Sequence, residues 1–218
     1  MSPVDAEVVV RGRGEARALP DRALVRAEVD GEANTRDDAY REVARLATTV
    51  DEVVARHAAA IDRNTTAALV VHPKTRWRRG ESVRTGWRGS RTTVLEVVDF
   101  AHLGDLFAEL AAAGGAVGGP YWQLDPANPV HSDARRLAAE DARRRAETYA
   151  SALGLRVTGI AWVAEPGLRD RGIEPQQFAL AAKSARFEAA AEEIIDVAPD
   201  EMTIDAAVDV AFTFAPSE

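Results

Sequence analysis

The side chains that could support metal or redox chemistry are few in this sequence. It has four histidines, His57, His72, His102 and His131, and no cysteine. No histidine has another histidine or a carboxylate four residues away, the spacing that places two metal ligands on one helix face. Without cysteine the chain has no disulfide, zinc–thiolate, iron–sulfur or thiol-nucleophile chemistry. The sequence therefore predicts no cofactor and no metal site.

Nucleophile and acid–base motifs are also missing. No serine lies in the Gly-x-Ser-x-Gly turn that exposes the nucleophile of α/β-hydrolases. Two pairs of adjacent carboxylates occur, Asp37 with Asp38 and Glu192 with Glu193. Adjacent residues do not share a helix face, so neither pair is suited to act as an acid–base dyad. We predict that the protein is not an enzyme and has no catalytic residues.

Two glycine motifs are similar to phosphate-binding loops but lie in the wrong context. Gly12-x-Gly14 lacks the third glycine of a dinucleotide fingerprint, because Arg17 stands there, and the next predicted element is a strand. The run from Gly114 to Gly119 follows a predicted helix, whereas a phosphate site needs the start of one. We interpret the first motif as a turn or β-bulge and the second as a helix end.

Charge is distributed unevenly along the chain, whose net charge is -8. Between Lys74 and Arg91, seven basic residues and two tryptophans stand against Glu81 alone. The tail after Arg186 has nine acidic residues and no basic one. We predict an interaction surface on the basic segment, formed by Arg76, Trp77, Arg78, Arg79, Arg84, Trp87, Arg88 and Arg91.

Three interpretations of this pattern stay open. Both segments can be ordinary solvated surface. The basic segment can instead meet the acidic C-terminal region of a second copy, with its tryptophans as anchors, which predicts a homo-oligomer. It can also bind nucleic acid or another polyanion through phosphate contacts and base stacking. Against this last interpretation, removing the segment's charge of +6 from the total of -8 leaves -14 for the rest of the chain.

Hydropathy periods predict the surrounding elements. Alternation through Leu24–Val29 indicates a half-buried strand, and Thr35 caps a long helix with apolar residues at three- and four-residue steps. Alternation through Ile204–Phe214 predicts a central strand with its even-numbered residues buried.

A long hairpin is predicted between the first helix and the second. Its strands are Thr66–Val71 and Arg91–Phe100, and Gly80, Gly86 and Gly89 mark its turn region. Pro73 confines the first of these strands to a sheet edge or ends it early. Further helices are predicted at about residues 103–113, 133–153 and 176–191.

The predicted order of elements is ββαββαβαβ(α)β. Hairpins mixed with helices, without strict βαβ alternation, indicate an α+β fold with a largely antiparallel sheet and helices packed on one face. We predict a single domain over residues 1–218, with a possible subdivision into 1–100 and 101–218.

Taken in order, six features make the chain similar to a known family. They are Gly12-x-Gly14 before Pro20-Asp21, a long alanine-rich helix, a hairpin with an aromatic-Arg-Gly turn, Ala113-Gly114-Gly115, the helix Ala138-x-x-x-Ala142-x-x-x-Ala146 up to Leu153-Gly154, and a last strand after Pro199-Asp200-Glu201. Over about residues 6–214 the chain resembles the SIMPL-domain family, a bacterial domain of unknown function. The resemblance implies an α+β fold, self-association in some members, and no established catalytic residues. It also implies that many members are exported and some are linked to envelope or oxidative stress.

The first residues show neither the basic stretch nor the apolar stretch of an export signal. No apolar run is long enough to span a membrane. We therefore predict a cytoplasmic, non-enzymatic, self-associating SIMPL-like scaffold protein. The alternative is a polyanion-binding or nucleic-acid-binding module that uses the same basic segment.

Overall fold

A computed structural model describes residues 6–78, 81–169 and 199–217. In these ranges the strands are β1 (Ala6–Ala18), β2 (Arg22–Ala33), β3 (Ile61–Thr66), β4 (Val70–Arg78), β5 (Glu81–Val97), β6 (Ala116–Gln123), β7 (Leu155–Ala164) and β8 (Met202–Pro216). The α-helices are α1 (Arg36–Arg56), α2 (Leu103–Ala112) and α3 (Pro129–Ala152). The chain divides into two compact units, one from residues 1–19 and 126–218 and the other from residues 20–125.

Within the described residues, the first unit forms a three-stranded antiparallel sheet in the order β1-β8-β7, with α3 packed on one face. β8 is therefore the central strand, as its alternation predicted. Val210, Phe212 and Phe214 are at most 5% exposed and form a core with the alanines of α3. The prediction for the even-numbered residues of this strand is confirmed at its core end.

Gly12 and Gly14 lie inside β1, which pairs with β8 without interruption, so their interpretation as a turn or bulge is wrong. A Cβ on Gly12 would lie 2.0 Å from the carbonyl oxygen of Ala138, and one on Gly14 would lie 2.1 Å from that of Ala134. The two glycines thus let the backbone of α3 lie directly against the strand. Between them, the backbone N–H of Arg13 donates to a carboxylate oxygen of Asp141 on α3 at 3.0 Å.

The second unit is a five-stranded antiparallel sheet, with the order β3-β5-β2-β6 and β4 also paired to β5. Its helices α1 and α2 pack on one shared core, and its largest fully buried side chains are Leu95, Leu106, Leu110, Val25, Val43, Val53 and Val97. Thr35 caps α1 as predicted, because its hydroxyl accepts the N–H of Asp38 at 3.1 Å. The α+β class with antiparallel pairing is confirmed, and the strands form one sheet in each unit.

The hairpin differs from its prediction. Gly86 and Gly89 lie within β5 rather than in a turn, and the strand predicted over 66–71 is divided between β3 and β4. Pro73 lies in β4, which has β5 as its strand partner in the described ranges and is therefore an edge, as predicted. α3 starts at Pro129, earlier than predicted, with Asn128 as its N-cap.

The helix predicted at about 176–191 lies outside the described residues. In the described ranges, each helix is too short or too polar to cross a membrane.

Candidate functional site

The basic segment forms a two-stranded ribbon that extends beyond the neighbouring strand. The pairing of β2 with β5 begins at Ala23, which stands opposite Val97. It ends at Ala33, which stands opposite Trp87. Beyond that point Glu81–Gly86 of β5 pairs with Lys74–Arg78 of β4. We call these two segments the ribbon. An isolated pair of strands is at best marginally stable in water, so the ribbon depends on the sheet at its root.

The far part of the ribbon carries its most exposed side chains. Trp77 is 75% exposed and stands opposite Ser82, and Val83, opposite Arg76, is 45% exposed. Nearer the sheet, Trp87 is half-buried, and the guanidinium carbon of Arg84 lies 5.4 Å from its ring centre. That distance places the cation within reach of the ring's electrostatic attraction. Side chains alternate along a strand, so Arg84 shares the face of Trp77, whereas Arg76 and Val83 lie on the other face of the ribbon.

The cations at the root of the ribbon are paired within the chain. Lys74 contacts Glu32, and Arg88 contacts Asp30 at 3.1 Å, both acids being on β2. The hydrogen bond from Lys74 lowers the pKa of the Glu32 carboxyl. Arg91 contacts Asp51 of α1 at 2.7 Å and is only 17% exposed. These carboxylates neutralise part of the charge that was assigned to the segment from its own residues.

The eight predicted interaction residues therefore fall into separate groups. Arg76, Trp77 and Arg84 are exposed on the ribbon, and Trp87 lies at its root. Arg88 and Arg91 are bound to acids of their own chain. The side chain of Arg78 and the whole of Arg79 lie outside the described part of the structure.

A cleft of about 620 Å³ lies beside the root of the ribbon. Its lining includes Asn34, Thr75, Arg76 and Trp87. The lining also includes the ion pair of Lys74 and Glu32, so Arg76 is the lining cation that can hold a polar or anionic side chain of a partner. Sequence patterns did not reveal the cleft, because Asn34 is far from Thr75, Arg76 and Trp87 along the chain.

The acidic C-terminal region is described only in part. Asp200, Glu201 and Asp205 are exposed. Asp209 accepts two hydrogen bonds from Arg11, at 2.6 and 2.8 Å, which hold the pKa of its carboxyl below its ordinary value. The remaining acidic residues of this region lie outside the described ranges.

In the described part of the chain, two of the four histidines lie near a carboxylate. His57 lies 3.3 Å from Glu109, and His102 lies 3.5 Å from Asp99. Among the residues that the structure describes, no three histidine or carboxylate side chains come together in a group that could hold a metal ion.

Comparison with known sequences decides the family. The sequence model of the SIMPL family, described as "Protein of unknown function (DUF541)", matches residues 8–212. The chain belongs to the SIMPL family. The resemblance drawn from the order of motifs is thereby confirmed over nearly the whole chain.

Two relatives of this SIMPL chain are the 26 kDa periplasmic immunogenic proteins of Brucella melitensis biotype 1 and Brucella abortus strain S19. Each is 25% identical over 219 residues, which cover 97% of this chain and 86% of the relative. A hydantoinase/carbamoylase family amidase from Burkholderia ambifaria is 22% identical, with a TM-score of 0.26. The match covers 51% of this chain and 28% of the amidase, and at that score the likeness supports no argument.

The predicted cytoplasmic location is wrong, because both Brucella relatives are named as periplasmic proteins. The prediction rested on the first residues of the sequence. A secretory signal is removed from the mature protein, so N-terminal residues without one are weak evidence for a cytoplasmic location.

Proposed function

We propose that this SIMPL chain works in the periplasm as an assembly protein that binds further copies of itself through the ribbon. The location is supported by the names of the two Brucella relatives. The binding surface is supported by one observation above all, the 75% exposure of Trp77 on a ribbon that extends past β2.

Burial of Trp77 would provide most of the affinity. An aromatic side chain buries roughly 150–250 Å², so covering the exposed part of this indole stabilises a contact by about 3–4 kcal/mol before the entropy cost of association. Exposed Arg–carboxylate pairs contribute only about 0–1 kcal/mol each.

The proposed partner surface is the acidic C-terminal region of a second copy. Asp200, Glu201 and Asp205 are its exposed carboxylates within the described ranges. Arg84, which shares its face of the ribbon with Trp77, complements them in charge. Because such pairs are exposed, they orient the two copies and speed their encounter more than they tighten the complex.

The pairing of cations at the root favours assembly over polyanion binding. Affinity for nucleic acid depends on how many phosphates are neutralised. Lys74, Arg88 and Arg91 already contact carboxylates. A phosphate backbone would have to displace those acids before it gained these three contacts.

Size-exclusion chromatography with light scattering, at low and high salt, tests the proposal. We expect an oligomer that Trp77→Ala weakens by about a hundredfold or more, since each 1.4 kcal/mol is tenfold in affinity. Adding Trp87→Ala should weaken it further, and high salt should do less than either change. Tyr149→Ala, which truncates a 55% exposed aromatic on α3, is the matched control and should leave the oligomer intact.

A wild-type protein that stays monomeric at high micromolar concentration would overturn the proposed assembly. Binding of single-stranded DNA that weakens steeply with salt, with an oligomer indifferent to Trp77→Ala, would favour the polyanion alternative instead. Osmotic-shock fractionation of the native host tests the location separately, and recovery with cytoplasmic markers would contradict it.

A further inference from the structure

The face of the three-stranded sheet that lies opposite α3 carries a second candidate site, independent of the ribbon. Side chains alternate along a strand, so Val9 and Arg11 point away from α3, whereas Val10 points toward it. A cleft of about 640 Å³ lies on this face, lined by Val9, Arg11, Trp162, Gly167, Arg169 and Asp209. Its volume is within the usual range for small-ligand sites.

Trp162 is held in a fixed position on this face. The strand register places Val9, Ala211 and Trp162 side by side across the three strands. Ala211 is completely buried although it lies on the face opposite α3, where Val9 and Trp162 are its neighbours in the register. The indole N–H of Trp162 donates to a carboxylate oxygen of Glu7 at 3.1 Å.

Arg169 is stacked on this tryptophan. Its guanidinium carbon lies 3.9 Å from the ring centre of Trp162. Stacking fixes the guanidinium plane and leaves the N–H groups at its edge able to bind a carboxylate in a bidentate manner. Within the described ranges, no carboxylate forms an ion pair with Arg169.

The charges beside Arg169 favour a monoanion. Arg11 and Asp209 form a doubly hydrogen-bonded pair at 2.6 and 2.8 Å, which is neutral as a unit. The Glu7 carboxylate, bound to the indole N–H of Trp162, adds a negative charge on the same face. Arg169 therefore supplies the positive charge with which a ligand can pair, and Glu7 repels a second negative charge on that ligand. Val9, which is 56% exposed, offers an apolar wall beside it.

We propose that this cleft binds a monocarboxylate that carries an apolar chain. The carboxylate accepts hydrogen bonds from the edge of the Arg169 guanidinium, and the apolar chain lies against Val9. A phosphate dianion fits less well, because its second charge would have no partner.

Titration with sodium hexanoate tests this site. The readout is the NMR signal of the Trp162 indole N–H, assigned by its loss in Trp162→Phe. We expect a saturable shift, and Arg169→Gln should weaken binding by about tenfold or more, since a charged hydrogen bond is lost. Arg156→Gln is the matched control, because Arg156 is an exposed cation of β7 that does not line the cleft.

Three results would overturn the proposal: no saturable shift with hexanoate, unchanged affinity in Arg169→Gln, or phosphate binding as tight as hexanoate. Arg169 is exposed, so its substitution should leave the fold intact, and unchanged thermal melting of the variant checks this. None of these measurements depends on the oligomeric state, so the result does not depend on whether the proposed assembly through the ribbon is correct.

Discussion

Replacing Gly14 with alanine tests how closely β1 and α3 are packed. The new Cβ would lie 2.1 Å from the carbonyl oxygen of Ala134 and 2.4 Å from the amide nitrogen of Ala138. Both atoms belong to helix backbone, which no rotamer change can move, so α3 would have to shift away from the strand. Overpacking of this kind costs about 1–3 kcal/mol, or more where the backbone must move.

An opposing effect comes from the unfolded chain, which is less flexible with alanine than with glycine. This offsets only about 0.4–1 kcal/mol of the cost. We therefore expect Gly14→Ala to lower the free energy of unfolding by about 2 kcal/mol or more, and the melting temperature by roughly 4–8 °C.

Thermal and urea unfolding, followed by far-UV circular dichroism, measure the effect. Gly104→Ala is the control, because a Cβ at this helical position of α2 meets nothing within 4 Å. Alanine is the better helix former, so this variant should be neutral or slightly stabilised. A Gly14→Ala protein as stable as Gly104→Ala would refute the close approach of strand and helix.

Two further changes probe the same unit. Phe212→Ala removes a ring that is 3% exposed and should cost about 3–5 kcal/mol as a cavity; an unchanged melting temperature would contradict the burial of β8. Asp141→Asn replaces a carboxylate with a neutral amide. The pKa of that carboxylate is held below its ordinary value by the N–H of Arg13 and the side chains of Arg144 and Arg145. Because the folded-state pKa is depressed, this stabilisation is present above the unfolded-state pKa of about 4 and is lost as pH falls through the folded-state value. Melting temperatures of wild type and Asp141→Asn should thus differ at neutral pH and converge in acid, and a gap independent of pH would refute the assignment.

Local patterns were sufficient for elements whose partners are close in sequence or whose periodicity is strict. Thr35 caps α1 as predicted, because its side-chain oxygen needs only an N–H three residues away. The alternation of β8 predicted its buried face because one face of that strand packs against α3. The order of several weak motifs was enough to predict the family.

Tertiary contacts explain what the patterns missed. Gly12 and Gly14 are required by the backbone of α3, which is more than a hundred residues away along the chain. The only signal was the run of alanines at positions 134, 138 and 142, whose four-residue spacing marks a helix face of small side chains. Which strand that face meets cannot be derived from spacing within one sequence.

Ion pairs with residues distant in sequence also change what can be inferred about binding from the charge of the basic segment. Counted along the sequence, the segment favours contacts with any anion. In the fold, three cations of the segment form ion pairs with carboxylates of β2 and α1, namely Asp30, Glu32 and Asp51. Since those charges are already paired, the exposed indole of Trp77 is the larger source of affinity left on the ribbon. It follows that an assembly built on the ribbon should lose more stability from one tryptophan substitution than from salt, which screens only the exposed charges.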